Sequence, residues 1–476
     1  MRNATEYDLC VIGGGAAGLV AAAGAASLGA KVLLVEKRAL GGDCLHVGCV
    51  PSKTLIHSAK VAQIIRDAER FGIAASTPVI DLSKVMQRVR RVIAQIEPND
   101  SPERFAGLGV DVVFGVGQFT GPNLFTVNGR QVCAKNFVIA TGTGPAIPPL
   151  PGVENIPYLT NETLFAVKEP IPHLLVLGGG PIGCEMAQSL ARLGSRVTLF
   201  DLAPRLLPRE DDDMSAVLYQ QFKQEGVDVH LGIKVLKFEY ANGEVRVLLE
   251  HPQQGQYRLS GSHLLIAAGR KPNLENLGLR LTGVELDNGR LILDARLRTS
   301  NKNIYACGDV AGPYLFTHMA EHQAGVVLKN ALFHWPSKAR TRNIPWCTYT
   351  DPELARVGLS ETEAVAQGIT HRVYRFPFAD IDRAVTADET VGMSKIITTP
   401  RGKLLGACIV GPQAGELIAE YVLALAKGMS AADLSNTIHI YPTLAQINRR
   451  VADQSLKEAL TPQRKRWLKW LFGLRG

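Results

Sequence analysis

Apolar runs of five or six residues recur along this 476-residue chain, and several of them stop abruptly at glycine. Residues 7–12 are largely apolar and end in Gly13-Gly14-Gly15-Ala16-Ala17-Gly18; a stretch of small residues follows, and a second apolar run, 31–36, closes on Glu36. That order reads as strand, turn, tightly packed helix and strand. The same unit returns at 173–177, Gly178-Gly179-Gly180-Pro181-Ile182-Gly183 and 196–201, the last ending on Asp201. In each copy the acid lies 23 residues beyond the first glycine. Further apolar runs at 137–142, 264–269 and 303–309 predict buried strands that end in small residues, while 85–109 reads as a polar helix and 110–127 as strands about the turn Gly115-Val116-Gly117. Proline-rich residues 145–157 mark a domain crossing. Beyond Arg342 the pattern becomes alternating, near 391–398 and 404–410, which predicts an antiparallel sheet with helices from Ala414 and from Thr443.

A lone G-x-G-x-x-G is a weak signal, but between a strand and a helix each glycine has a task. The first allows the tight turn, the second lets a pyrophosphate approach the backbone, and the third packs helix on strand. Gly13, Gly15 and Gly18 fill these places in the first unit, with Glu36 placed to accept from a ribose hydroxyl. Gly178, Gly180 and Gly183 fill them in the second, with Asp201 at its end. A carboxylate there accepts from a free 2′-hydroxyl and repels a 2′-phosphate, so NAD(H) is expected over NADP(H); Arg205, four residues on, pulls the other way. The expected fold is α/β. It has two Rossmann-like dinucleotide-binding domains, the first at 1–150 with a return segment at 271–340 and the second at 151–270. An α+β domain at 341–460, read as a packing or dimer domain, and a tail at 461–476 complete it.

Residues 41–53 carry the candidate chemistry: Gly-Gly-Asp-Cys-Leu-His-Val-Gly-Cys-Val-Pro-Ser-Lys. Cys44 and Cys49 are five positions apart among permissive glycines, a spacing that allows two sulfurs to meet. Pro51 suits the first turn of a helix running on to Arg70. A helix N-terminus and the ammonium of Lys53 both favour a thiolate at Cys49, the reactive form of the pair.

Composition narrows the class. Hydrophobic residues make up 46% and charged residues 20%, as in a globular protein, and the length calls for about three domains. The formal charge of +8 is uneven, because Arg464, Lys465, Arg466, Lys469 and Arg475 lie with no acid among the last thirteen residues. The remainder is close to balanced, and no nucleic-acid stripe stands out. The other six cysteines, Cys10, Cys133, Cys184, Cys307, Cys347 and Cys408, are scattered singly and read as small buried hydrophobes, with no metal site. No secretory signal is apparent at the start, and a cytoplasmic, reducing setting is expected.

With C-x4-C-V-P-S-K, both fingerprints, the A-T-G and G-D strand ends and Tyr349-Thr350-Asp351-Pro352-Glu353 on view, the chain resembles the class I pyridine nucleotide-disulfide oxidoreductases up to about Leu460. These flavoproteins include dihydrolipoamide dehydrogenase, glutathione reductase and mercuric reductase. The resemblance implies FAD in the first domain, NAD(P)H in the second and a homodimer formed by the third. It implies that Cys49 lies beside the flavin while Cys44 meets a small or protein-bound thiol or disulfide substrate. It further implies that Lys53 pairs with Glu185 near flavin N5, that Asp309 holds the ribityl chain, and that the loop from His318 to Gln323, with His318 and Ala320 as its candidate contacts, lies along the flavin edge. Gly42, Gly117, Thr141, Gly142, Gly269 and Arg270 complete the candidate cofactor-binding set.

Two positions depart from the dithiol-using members, which carry histidine before Pro-Thr and glutamate five residues later. Here they are Tyr441 and Gln446. A phenol does not shuttle protons near neutrality as an imidazole does, and loss of a general base typically costs about 10² to 10⁴ in rate. If 438–441 is extended, His439 and Tyr441 share a side, and His439 is a displaced candidate base. Competing activities are therefore a mercuric reductase-like reduction of metal ions or quinones from reduced flavin, and an electron-transfer subunit docked on a membrane or complex. As a helix, residues 462–476 would gather Trp467, Leu468, Trp470, Leu471 and Leu474 opposite Lys465, Arg466 and Lys469. Such a helix suits peripheral contact with an anionic bilayer.

Overall fold

Two strand-to-helix turns share one backbone geometry in the computed structural model, which describes residues 5–475. Gly13 and Gly178 have φ of +110° and +116°, a region that favours glycine. A Cβ on Gly13 would press on the Ala140 carbonyl, and one on Gly178 on that of Ala267. Gly18 and Gly183 likewise leave no room for a side chain against the carbonyls of Gly13 and Gly178, so the helices Ala16–Ser27 and Pro181–Arg192 pack hard onto their strands.

These turns sit on two sheets. In the first, parallel strands run in the order Val110–Phe114, Val32–Glu36, Thr5–Ile12, Arg130–Ile139 and Ile304–Ala306, so the late strand does return to the first unit. Leu124–Val127 and Gly117–Gly121 extend it antiparallel from the start of Arg130–Ile139. The second sheet orders Asp228–Leu231, Arg196–Asp201, His173–Leu177 and His263–Ile266, all parallel, beside a three-stranded meander. Parallel strands covered on both faces read as continuous apolar runs. Val32–Glu36 is buried along its whole length for that reason. The C-terminal part is a five-stranded antiparallel sheet whose core includes Val357, Ile396, Ile409 and Val451. The chain is thus α/β with an α+β C-terminal part.

Helix limits differ from the periodic reading. The helix expected to reach Arg70 ends at Arg66 and continues as a 3-10 turn, Ala68–Phe71. The single helix expected over 85–109 is broken: Leu82–Ile96 gives way to the 3-10 segment Glu97–Asp100, where Pro98 cannot donate, and a short helix Pro102–Gly107 follows.

The second sheet is fastened to the antiparallel sheet by buried charge. Lys395, whose side chain is 1% exposed, reaches Asp211 at 2.9 Å, Asp213 at 2.9 Å and Glu361 at 2.6 Å. Arg356 pairs with Glu363 at 2.6 Å and stacks its guanidinium 4.4 Å over Trp346. Of the tail read as a helix over 462–476, Pro462–Phe472 is helical, capped by Thr461 and with no buried residue; it stops at Gly473, which takes φ of +64°, so Leu474 lies beyond it. Among the described residues no helix is long and apolar enough to cross a membrane.

Candidate active site

Gly48 lets the chain fold back so that two sulfurs meet. A Cβ there would come within 2.8 Å of the Asp43 carbonyl oxygen and 3.4 Å of the Cys44 Cα. Cys44 lies in the short helix Gly42–His46, and Cys49 opens the helix Cys49–Arg66. Both are free thiols, and each shifts the other's ionisation. The Cys44 thiol is pushed above the usual range, first by its interaction with Cys49 and then by burial, so the proton stays on Cys44. Cys49 is drawn down to about 6, first by the hydrogen bond from Cys44, then by Thr317 and the charge of Lys53, against the opposing effects of burial and Glu185. Thr317 Oγ1 lies 3.7 Å from Cys49 Sγ and donates to it once the thiol is ionised.

One turn into the same helix, Lys53 Nζ donates to Glu185 at 2.9 and 3.1 Å. Glu185 is buried, on the helix that follows the second glycine loop, so packing of the two helices brings the fingerprints' two halves together. Its Oε1 also accepts from the Tyr349 backbone N–H at 2.9 Å, and the Lys53 ammonium rests 4.4 Å from the Tyr349 ring centre. Burial raises the Tyr349 phenol to about 12.

These groups line one end of a cavity of about 970 Å³ that continues past Gly42, Gly13 and Gly15 to Glu36, with Gly117, Thr141, Gly142, Arg270, His318 and Ala320 on its walls. Glu36 is held by N–H donors from Gly14 at 2.6 Å and Arg38 at 2.8 Å. Asp309 accepts from Thr143 Oγ1 at 3.1 Å, and burial pushes its carboxyl up. Arg270 donates to Thr143 and pairs with Asp43. Gly269 adopts φ of +127° just before Arg270 and is not itself on the cavity wall. The His318 ring meets the Pro345 carbonyl at 2.8 Å.

The residues fit a flavin dinucleotide. Thr141 Oγ1 is buried without a partner on the cavity wall, and nothing lies within 4 Å of where a Cβ of Gly142 would stand. Gly178, Gly180 and Gly183 lie off this cavity, at the end of the second sheet, and Asp201 accepts there from Gly179 N–H at 2.5 Å and Ala203 N–H at 2.7 Å. Nothing stands within 4 Å of the Cβ position of Gly180.

Three predicted placements change. His439 and Tyr441 do not share a side: His439 turns inward to Glu420 at 2.8 Å, its side chain 6% exposed, whereas Tyr441 is exposed and donates to Asp382 at 2.8 Å. Gln446 lies beneath the loop and donates to the carbonyls of His439 and Ile440 at 3.2 and 3.3 Å, a bridge that a carboxylate would not make. Cys347, expected as an inert buried thiol, is half-buried on the cavity wall with Tyr349. Among the described residues no group of three or more His, Cys, Asp or Glu is placed to hold a metal ion. Thr317, Tyr349 and Thr143 were absent from the sequence-based set. Tyr349 sits inside a motif used only as a family marker, and Thr317 immediately precedes His318.

Two glycine-loop units of one geometry, the first opening on a cavity walled by a pair of thiols, define a flavin-linked pyridine-nucleotide oxidoreductase. Residues 7–324 match the pyridine nucleotide-disulphide oxidoreductase family, and 344–451 match that family's dimerisation domain. The chain belongs to this family: it is an FAD-dependent oxidoreductase that uses a pyridine nucleotide and carries the domain through which homodimers form. A dihydrolipoyl dehydrogenase of Thermus scotoductus is 40% identical over 467 residues, covering 95% of this chain and 98% of the relative. A mercuric reductase of Staphylococcus aureus is 33% identical over 443 residues, covering 93% and 81%. Among solved structures, the HOCl-induced flavoprotein disulfide reductase RclA from Escherichia coli superposes with a TM-score of 0.84 at 29% identity, covering 94% of this chain and 99% of that one; its Cu(II) complex gives the same values.

Proposed function

We propose that the chain passes electrons between NADH and a small disulfide or related sulfur electrophile through Cys44 and Cys49. The observation that carries this is the pair of free thiols side by side on the cavity wall, Cys49 within 3.7 Å of Thr317 Oγ1 and one turn from Lys53, with Cys44 shifted up and Cys49 down. FAD, when bound, supplies the two-electron link between a nicotinamide and a disulfide. Residues 1–150 with 271–340 would hold it, 151–270 would hold the pyridine nucleotide, and 341–460 would form the dimer contact. Asp201 supports NADH as the donor, because its carboxylate faces the loop where the adenosine ribose would lie.

In the reducing direction the Cys44–Cys49 disulfide gains two electrons and one proton, leaving Cys44 a thiol and Cys49 a thiolate. Cys44 attacks one sulfur of the substrate as its proton passes to the departing sulfur, releasing the first thiol; the Cys49 thiolate then attacks Cys44 and displaces the second, which takes a proton from solvent, as the disulfide re-forms. Thr317 and Lys53 keep Cys49 ionised for that last step, while the Lys53–Glu185 pair fixes the ammonium in place. Steady-state turnover with NADH and NADPH against lipoamide, glutathione disulfide, Hg²⁺, Cu²⁺ and quinones tests the reading. Disulfide turnover should vanish in both Cys44→Ala and Cys49→Ser; quinone turnover alone, intact in Cys44→Ala, would overturn it.

A second reading, reduction of a soft metal ion as substrate, is favoured by Cys347, a third thiol on the same wall. It predicts Hg²⁺- or Cu²⁺-dependent NADH oxidation that falls in Cys347→Ala. The helix Pro462–Phe472 supports a peripheral contact with anionic lipid, since Trp467, Trp470 and Phe472 are exposed beside a basic face. Flotation with phosphatidylglycerol-rich vesicles should carry the full chain and not one ending at Leu460; equal flotation of the two would end the idea.

A further inference from the structure

Four consecutive acids, Glu210 to Asp213, follow the loop that leaves Asp201. Three are committed to the antiparallel sheet. Glu210 accepts from Trp346 Nε1 at 2.7 Å; Asp211 accepts from the Glu361 and Thr362 backbones, each at 3.0 Å, and pairs with Lys395; Asp213 takes Arg375 at 2.7 Å and Lys395 at 2.9 Å. Asp212 alone turns back, and it pairs with Arg205.

Arg205 is the cation nearest in sequence to Asp201, and its loop lies against the glycine turn. Leu207 N–H donates to the Gly179 carbonyl at 2.8 Å, and the Leu206 carbonyl accepts from Ser215 at 2.6 Å, so the backbone on either side of the guanidinium is fixed. The side chain is drawn toward Asp212 and the Pro208 carbonyl, at 3.4 Å, and its Nε is buried without a partner. An arginine beside the second strand's acid is the group that would accommodate a 2′-phosphate, and Nε is a donor left over for one.

We propose that Asp212 is a specificity-determining residue. By pairing with Arg205 it holds that guanidinium away from the adenosine 2′-position and biases the second dinucleotide site against 2′-phosphorylated nucleotides. This rests on the reading that the second glycine loop binds the pyridine nucleotide with Asp201 at its ribose. Asp201 rejects a 2′-phosphate by repulsion, and Asp212 adds to that by occupying Arg205. Because Asp212 is mostly exposed, the pair is a surface ion pair of modest strength, and its removal should change affinity by about two- to fivefold.

The test is binding of 2′,5′-ADP and 5′-ADP to the FAD-loaded protein by calorimetry, alongside kcat/KM for NADPH and NADH. Asp212→Asn should tighten 2′,5′-ADP by about two- to fivefold, leave 5′-ADP unchanged and raise the NADPH-to-NADH ratio in step. Asp212→Glu, which keeps the charge at the helix start, should restore weak 2′,5′-ADP binding. In Arg205→Ala/Asp212→Asn the gain should disappear, since the effect runs through Arg205. Unchanged 2′,5′-ADP affinity in Asp212→Asn, or a gain that persists without Arg205, overturns the proposal while the nucleotide site stands. Failure of the unsubstituted protein to bind 5′-ADP or oxidise NADH overturns the site reading, and the proposal with it.

Discussion

Replacing Cys44 with alanine removes the hydrogen bond that contributes most to the low pKa of Cys49. In the intact pair Cys49 falls from 9.0 to about 6. Thr317 and the Lys53 charge remain in the variant, and burial and the nearby Glu185 carboxylate oppose them. The midpoint should therefore rise well above 6 toward the ordinary thiol value. At pH 7 a thiol of pKa 6 is about 90% ionised and one of pKa 9 about 1%, so the change is large at neutrality. Alkylation of Cys49 by iodoacetamide in the reduced protein, followed by mass spectrometry of its peptide from pH 4.5 to 10, reads the thiolate fraction directly. The sign follows from the cause: the reactive form is present above the midpoint and lost as pH falls through it. The unsubstituted protein should react at a rate that halves near pH 6, Cys44→Ala at a rate that halves at a much higher pH, and Cys44→Ser between the two because its hydroxyl still donates. A Cys44→Ala midpoint still near 6, or an unsubstituted midpoint above 8, would refute the assignment of the proton to Cys44.

Thr317→Val should also raise the Cys49 midpoint, by less than Cys44→Ala, in the same alkylation series. Lys395→Met removes the one ammonium shared by Asp211, Asp213 and Glu361, leaving Asp211 its N–H donors and the other two Arg375; the loss should cost about 1 to 3 kcal/mol, read as a lower urea midpoint for the transition that separates the second sheet from the C-terminal one. An unchanged midpoint would show that the cluster does not bind those two parts. Gln446→Glu, which reinstates the family's acid, loses both donors to the 439 and 440 carbonyls and should cost about 1 to 3 kcal/mol in the same denaturation assay.

What could be read from the chain alone was what local backbone chemistry demands. Gly13, Gly18, Gly178 and Gly183 announce their turns because no other residue fits them, and Glu36 and Asp201 follow at a fixed interval. The parallel strands were legible because burial on both faces leaves uninterrupted apolar runs. Helix ends were less so, since Pro98 breaks a pattern that periodicity alone would continue. The walls of the site were hardest. Thr317 meets Cys49 across 268 residues and Tyr349 meets Glu185 across 164, and no local signal announces a contact of that reach. His439 misled for a related reason: alternation assumes an extended segment, whereas Glu420 and the Gln446 bridges shape that loop from outside it.

Anaerobic titration of the FAD-loaded protein with NADH, with alkylation of thiols at each point, bears most directly on the central claim. The account predicts uptake of two equivalents of NADH per protomer, appearance of alkylatable Cys44 and Cys49 together, and a long-wavelength absorption band that Cys49→Ser abolishes. Uptake of a single equivalent, with Cys44 and Cys49 still joined after the flavin has bleached, would contradict it.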